Sequence, residues 1–362
     1  VEPFQAEEEY SKDVLVVGGG IAGMTAALET AKAGYQAVLV EKEDRLGGFL
    51  AKMKKRVTLP YKELSETGAE DLIQAVQDEP KIKVYTSASV EKISGAPGLF
   101  SVEIKSNGSS ANERAGAIVQ ATGWVPYDAN KLGSLGYGQY KDVITNVEME
   151  EMAAKGNVTR PSDGSDVKSA LFIQCAGSRD PEHLPYCSSV CCLTSLKQAT
   201  YLKEQNPESV NYILYRDMRT VGQAEDFYRK AQNDGNVFIR GLVSSVGESG
   251  GKLFVEADDE LLGEKLRIED LDLVVLAVGM VPASKPEVTP RIKAPEGTEG
   301  ADEEGKIEVV PDSGFFSKNT LNLAYRQGPE LPTLKYGFPD SHFICFPYET
   351  RRTGIYSAGC IR

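Results

Sequence analysis

Histidine and tryptophan are scarce in this sequence, with two and one respectively in 362 residues. With so few imidazoles and no paired carboxylates in a recognisable context, hydrolase-style proton-transfer catalysis has little support. No run approaches eighteen consecutive apolar residues, so nothing reads as a membrane span, and no signal-peptide pattern is visible. Positive charge is also short: 40 Lys and Arg stand against 53 Asp and Glu, a net of −13. That balance disfavours nucleic acid and anionic lipid as partners, since both need a positive surface. The acidity reads first as solvated surface and second as a docking surface for a basic partner. An initiator Met is missing, and Val1 to Tyr10 reads as an acidic linker of an excised or processed piece.

The length suits two or three domains with full cores. Six cysteines are present, and four of them crowd into residues 175–192. Clustering in a long chain without a signal peptide points to a metal or redox site in a reducing compartment, not to a disulfide-stapled fold.

The order of elements is α/β. Asp13 to Val17 is a continuous apolar run, the pattern of a strand buried on both faces. A glycine-rich turn, a helix over Met24–Ala33 and a strand over Gln36–Val40 complete a βαβ unit. Further strands are expected at Lys83–Tyr85 and Ala117–Ala121, with a hairpin-rich patch between them. A second αβ pattern runs from the strand Ala170–Gln174 through a helix over Ser188–Glu204 and a strand over Val210–Tyr215. It continues with a helix over Ala224–Asn233, strands at Val237–Arg240 and Leu273–Val278, and a hairpin between the last two. The division is 1–125, 126–282 and a return over 283–362, of which Ala283–Gly305 reads as a mobile loop.

Gly18-Gly19-Gly20-Ile21-Ala22-Gly23 fits G-x-G-x-x-G directly after a buried strand. Gly18 permits the tight turn, Gly20 lets backbone N–H groups approach a pyrophosphate, and Gly23 lets helix and strand pack closely. The N-terminus of the helix adds partial positive charge. Glu41, 23 residues after Gly18, ends the second strand where a carboxylate binds ribose hydroxyls, with Lys42 beside it. FAD in preference to NAD follows from a second glycine pair, Gly47-Gly48, from Ala121-Thr122-Gly123, and from the return at Gly359-Cys360; Val90 is placed in the same site. This set resembles the thioredoxin-reductase-like flavoproteins, with two Rossmann-like dinucleotide-binding domains.

In that class the second domain binds NAD(P)H through its own glycine turn. Here the equivalent turn begins Gln174-Cys175-Ala176-Gly177, with cysteine at the first glycine position. Arg216 and Arg219 mimic a 2′-phosphate clamp, but no cradle for a pyrophosphate remains, so NAD(P)H is not expected. Cys175, Cys187, Cys191 and Cys192 replace it, with Cys187 and Cys191 four apart on one face at the start of a helix. Four thiolates near a helix N-terminus suit an anionic [4Fe–4S] cluster. Zinc, whose sites usually carry two C-x2-C knuckles, and unligated or disulfide cysteines stay open as alternatives.

Tyr186-Cys-Ser-Ser-Val-Cys-Cys-Leu, Lys197-Gln-Ala, Tyr215-Arg-Asp-Met-Arg219, Glu225-Asp-Phe-Tyr228 and Phe238-Ile-Arg-Gly241 closely resemble the A-type subunits of heterodisulfide reductase. The resemblance implies a non-covalent FAD, a [4Fe–4S] cluster on the four cysteines, and Lys197 as the catalytic group near the flavin N5. A solvated surface lysine is the alternative for Lys197. Five residues past Cys192, it is rotated by roughly 140° from it on a helix and faces a different neighbour. The methanogen members carry further cysteines after the second glycine pair. Ala51–Leu64 has none, and no ferredoxin-like cysteine run follows before Arg362, so electron bifurcation is not implied.

The tail, with Tyr336-Gly-Phe-Pro-Asp-Ser-His-Phe and Pro347-Tyr-Glu-Thr-Arg-Arg, is more similar to the homologous B-type subunit of the quinone-interacting membrane-bound oxidoreductase (Qmo) complexes. That likeness implies a cytoplasmic electron-transfer protein with other redox subunits as partners. Membrane contact would come only through a partner, and adenylylsulfate reductase would be an acceptor. The rivals are a soluble NAD(P)H-dependent disulfide reductase, for which a C-x-x-C pair or second glycine motif is lacking, and a non-catalytic FAD and cluster scaffold. His183 reads as a solvated loop residue, with a hydrogen bond near the cluster as the alternative, Cys345 as core, and Trp124 as core or flavin shield. His342 reads as structural, and Lys52, Lys54, Lys55 and Arg56 as a solvated basic run, with docking of an acidic redox partner as the alternative.

Overall fold

A computed structural model describes residues 9–284, 334–342 and 344–361. The acidic opening through residue 8 and the expected mobile loop beyond residue 284 lie outside the described residues. The chain divides into two compact units: 1–51, 68–124 and 282–362 form the first, and 52–67 with 125–281 form the second. The segment 52–67 thus leaves the first unit, within whose span the sequence places it. The reason is apolar: Val57, Tyr61 and Leu64 pack against the core of the second unit.

The first unit is built on a seven-stranded sheet in the order Ser341–His342, Phe346–Thr350, Ile355–Ser357, Ala117–Gln120, Val14–Val17, Ala37–Val40, Ile82–Tyr85. Its last five strands run parallel. Successive side chains in a strand face opposite sides. Val16 and Leu39 therefore pack with helix α1 (Ile21–Lys32) and helix α2 (Ala69–Asp78), and Leu15 and Ile118 pack with Phe100 and Ile104 of a three-stranded antiparallel sheet. Cys345, expected in the core, is exposed, because it sits in the turn before the strand Phe346–Thr350.

The second unit repeats the plan. Its sheet runs Val143–Thr145, Leu273–Val278, Ser169–Ala176, Val210–Tyr215, Val237–Ser249, Lys252–Asp259, Glu264–Leu271. The first five strands are parallel and the last two form the antiparallel hairpin. Phe172 faces a layer of helices α3 (Asn146–Lys155), α4 (Cys191–Gln205) and α5 (Glu225–Asn233), while Leu171 and Ile173 face Val255 and Ile268. Helix α3 is entered through a capping box: Thr145 Oγ1 accepts from the Glu148 N–H, and Glu148 Oε2 accepts from the Thr145 N–H. The architecture is the expected α/β pair of Rossmann-like folds.

Candidate functional site

In the first unit the turn 18–23 is shaped by contact at atomic range. A Cβ on Gly23 would fall 1.8 Å from the Gly18 carbonyl oxygen, and one on Gly18 would fall 2.3 Å from that of Ala121. Glycine is therefore required at both positions for helix, strand and turn to approach. Helix α1 begins at Ile21 and Ala22, with Gly20 as an N-cap that supplies no side-chain hydrogen bond and with no acidic residue in the first turn. Its first N–H groups are left for an anion from outside the helix. The Glu41 carboxylate is buried beside this turn and accepts from the N–H groups of Gly19, at 2.5 Å, and Glu43, at 2.8 Å. Lys42 is exposed and lies 3.7 Å from Glu43.

The second glycine pair meets the first: the Gly47 N–H donates to the Gly19 carbonyl at 2.9 Å, and Gly48 approaches Gly20. Gln120 and Ser357 face each other in register at the ends of their strands, followed by Ala121, Thr122 and Gly123. Among the described residues Gln120 Oε1, Thr122 Oγ1 and Ser357 Oγ are buried without hydrogen-bond partners, which is costly unless a bound group satisfies them. Gly359 and Cys360 lie in a short 3₁₀ turn in which Gly359 abuts Ala22 of α1, and Cys360 is exposed. Val90 is half-buried in the hairpin sheet. Trp124 stacks flat on Phe49, with centroids 4.2 Å apart. Uncapped N–H groups, unpartnered polar atoms and a close-packed turn together fit FAD.

In the second unit Cys175 is the next-to-last residue of its strand and has φ +57°, a left-handed conformation, beside a register shift between Ile173 and Ala176. The loop that follows is laced to its neighbours. Arg179 N–H donates to the Tyr186 carbonyl, Leu184 N–H to that of Gly177, and Met280 N–H to Ser188 Oγ. His183, expected to be solvated, is half-buried and shares a 2.7 Å hydrogen bond with the Tyr127 hydroxyl, which fixes it in the loop. Helix α4 starts at Cys191 and not at Ser188, because Ser189 takes φ +59°. Cys187 therefore precedes the helix and does not share a helical face with Cys191.

Even so, all four thiols are neighbours. Burial raises the Cys191 pKa most, followed by the charges of Cys175, Cys192 and Cys187; the Cys192 thiol is likewise raised by burial. Cys191 and Cys192 donate to the carbonyls of Val278 and Asp217 at 3.6 and 3.8 Å. Backbone N–H groups of Arg219 and Ser189 donate at 3.4 Å to Cys192 and Cys187. Among the described residues no three Cys, His, Asp or Glu side chains are gathered closely enough to hold a metal ion directly. Helix α4 starts without a side-chain cap, and two of the four sulfurs accept backbone N–H donors.

Lys197 is buried and not a solvated surface lysine. Its ammonium lies 3.0 Å from Glu150 and donates to the Lys55 carbonyl at 3.1 Å. Burial lowers its pKa, and the Glu150 charge opposes that. Glu150 also accepts from the Tyr201 hydroxyl, Gln198 Nε2 and the Lys54 N–H. Sequence reasoning missed Glu150; the capping box Thr145-x-x-Glu148 was the signal for the helix that carries it. The basic run is not simply solvated either, since Lys54 reaches the Gly156 carbonyl and Lys55 pairs with Glu204.

Comparison with known proteins gives the context. Residues 13–104 match the family described as FAD dependent oxidoreductase. The chain is 31% identical to the A-type iron-sulfur subunit 2 of the CoB–CoM heterodisulfide reductase of Methanopyrus kandleri, over 78% of this chain and 56% of that protein. It is also 31% identical to the A-type subunit of the ferredoxin/F420H2-dependent CoB–CoM heterodisulfide reductase of Methanosarcina acetivorans, over 97% of this chain and 50% of that one. The chain thus spans about half the length of the curated relatives it matches. In structure it is similar to thioredoxin reductases from Lactococcus lactis (TM-score 0.58, 16% identity) and T. acidophilum (TM-score 0.56, 17% identity). Each alignment covers 97% of this chain and 91% of the other. They share its fold.

Proposed function

From its kinship with the A-type subunits of the heterodisulfide reductases, we propose that this chain is an FAD and [4Fe–4S] electron-transfer component of a larger redox complex. In this reading FAD lies on the turn 18–23, with its pyrophosphate at the α1 N-terminus, its ribose at Glu41, and Gly47, Gly48, Thr122, Gly359 and Cys360 around the rest. Cys175, Cys187, Cys191 and Cys192 hold the cluster. When bound, these groups supply two-electron exchange at the flavin and one-electron exchange at the cluster. The chain's own residues bind, orient and exclude water. Lys197, held by Glu150, is the residue we assign as the catalytic group. Partners are other subunits of the complex. The finer reading, from the tail motifs, is a cytoplasmic relay in sulfate metabolism between a quinone-linked membrane partner and an acceptor such as adenylylsulfate reductase.

The observation that carries the proposal is the contrast between the two units. One keeps an intact phosphate cradle, while the other puts a cysteine in left-handed conformation where the cradle's first glycine belongs. No described helix is long and apolar enough to cross a membrane. The test is a visible and EPR spectrum with iron and sulfide assay on protein purified without oxygen. A flavin spectrum with about four irons per chain supports the proposal. Flavin without iron overturns the cluster.

A further inference from the structure

Gln120 and Ser357 stand side by side at the ends of the strands Ala117–Gln120 and Ile355–Ser357, paired in parallel register. Two residues earlier, Ile118 and Ile355 pair in the same way and are buried in the core formed with Leu15 and Phe100. Side chains two apart in a strand share a face, so Gln120 and Ser357 lie on that face, one step nearer the strand ends. They are only 1% and 2% exposed. Thr122 comes two residues after Gln120, and its Cα lies 3.0 Å from where a Cβ on Gly18 would fall, at the turn 18–23. The main chain here is already used: the Gln120 carbonyl accepts from the Ala358 N–H at 2.9 Å, and the Ala121 N–H donates to the Val17 carbonyl at 2.8 Å.

Among the described residues, Gln120 Oε1, Thr122 Oγ1 and Ser357 Oγ are buried with no hydrogen-bond partner. Three such oxygens at one end of a sheet are costly, and their retention calls for a ligand that completes them. Their chemistry narrows the ligand. An amide oxygen only accepts, whereas a hydroxyl both donates and accepts. Phosphate oxygens only accept, so a pyrophosphate cannot serve Gln120 Oε1; a polyol can serve all three. The strand order agrees. Neighbouring strands lie about 4.8 Å apart, and the sheet runs Ile355–Ser357, Ala117–Gln120, Val14–Val17, Ala37–Val40. The phosphate turn follows Val14–Val17, and Glu41, our ribose ligand, follows Ala37–Val40. A dinucleotide laid across these ends carries its next segment, on the side away from Glu41, over Gln120 and Ser357. In FAD that segment is the ribityl chain.

We infer that Gln120 and Ser357, with Thr122, form a polyol site that holds the ribityl hydroxyls of FAD, Gln120 Oε1 accepting from one of them. The inference rests on the FAD reading above. Both residues lie outside the turn 18–23 and Glu41, so the ADP half of the cofactor binds without them. Their contribution is to select a flavin dinucleotide at this turn and to fix its flavin half.

The experiment is a fluorescence and calorimetric titration of the full protein, freed of flavin, as wild type, Gln120→Leu and Ser357→Ala. The ligands are FAD, ADP, and FAD analogues lacking the 2′-, 3′- or 4′-hydroxyl of the ribityl chain. In wild type at least one analogue is expected to bind about tenfold more weakly than FAD, the loss of one hydrogen bond to a buried acceptor. Gln120→Leu is expected to weaken FAD by a similar factor and to abolish the penalty of that analogue, while ADP binds as in wild type. Flavin-free Gln120→Leu should melt no lower than flavin-free wild type, because leucine removes an oxygen that lacks a partner. A lower melting temperature with unchanged FAD affinity overturns the inference, since the glutamine is then structural. An analogue penalty that is the same in Gln120→Leu as in wild type also overturns it. So do three analogues that bind wild type as tightly as FAD, a result that needs no variant to fold. Wild-type protein that binds no FAD overturns the FAD reading itself, an outcome distinct from these.

Discussion

Replacing Glu150 by Ala removes one half of a buried ion pair whose two side chains are 7% and 9% exposed. It takes away the carboxylate 3.0 Å from Lys197, and with it an acceptor for the Tyr201 hydroxyl at 2.8 Å, Gln198 Nε2 at 3.2 Å and the Lys54 N–H at 3.0 Å. Breaking a buried pair from one side costs about 3–5 kcal/mol. The lower half of that range applies here, because Lys197 and Tyr201 keep the Lys55 carbonyl and Gln198 keeps the Asn146 carbonyl as acceptors. A loss of about 3–4 kcal/mol lowers the melting temperature of a domain of about 150–250 residues by roughly 6–16 °C.

Glu150→Gln, which retains an acceptor oxygen, should cost less. The double variant Glu150→Gln/Lys197→Met should cost less than the sum of its parts by at least about 1 kcal/mol, since it removes both charges together. Calorimetry with circular dichroism on the flavin-loaded protein measures all four. A drop below about 2 °C for Glu150→Ala, or strict additivity in the cycle, would refute the claim that this pair is buried and coupled.

Gly23→Ala places a methyl group 1.8 Å from the Gly18 carbonyl oxygen, so helix and turn must separate. We expect a loss of at least about 2 kcal/mol and a lower flavin-to-protein ratio; full flavin content in the variant would contradict the cradle. At Cys175 the left-handed backbone reverses the usual order of small residues. Cys175→Gly should be more stable than Cys175→Ala by about 1 kcal/mol in cluster-free protein, and equal denaturation midpoints would show that φ relaxes. The buried thiols also make cluster-free protein alkali-sensitive. The folded pKa values of Cys191 and Cys192 are raised by burial above the unfolded value, so their contribution is complete below the unfolded value and is lost as pH rises through the folded one. Urea denaturation from about pH 8 to 10, starting near the unfolded thiol value of about 8.5, should show a fall that Cys192→Ser lessens. A flat profile would place the thiols in water.

The first unit was legible because its site is local. G-x-G-x-x-G, the helix after it and Glu41 fall within one βαβ unit, and each residue acts through a backbone geometry that its own type dictates. The second unit was legible only in composition. Its four cysteines were visible, but the start of α4 was not, since nothing in Ser188-Ser189-Val190 announces that Ser189 takes a positive φ. The transfer of 52–67 to the second unit and the burial of Lys197 depend on contacts 90 to 150 residues apart in sequence, such as Lys54 with Glu150 and Lys55 with Tyr201. No local pattern encodes these. Only Glu150 had a nearby signal, the capping box one turn before it.

The positions that resist sequence reasoning share a physical feature with the proposed centre. Cys175, Arg179 and Ser189 all adopt left-handed backbone without being glycine. Each such residue costs of order 1–3 kcal/mol and persists only where surrounding contacts over-determine it. Here those contacts can be named: Ser178 N–H to the Cys175 carbonyl, Arg179 N–H to the Tyr186 carbonyl, and Ser189 N–H to the Cys187 sulfur. A nucleotide fold with glycine at the first of these positions would avoid the cost and gain a bare backbone suited to phosphate. Carrying side chains there instead gives up that cradle for a thiol and a guanidinium on one curl of chain. The strain is thus better explained by what Cys175 and Arg179 carry than by what the fold requires.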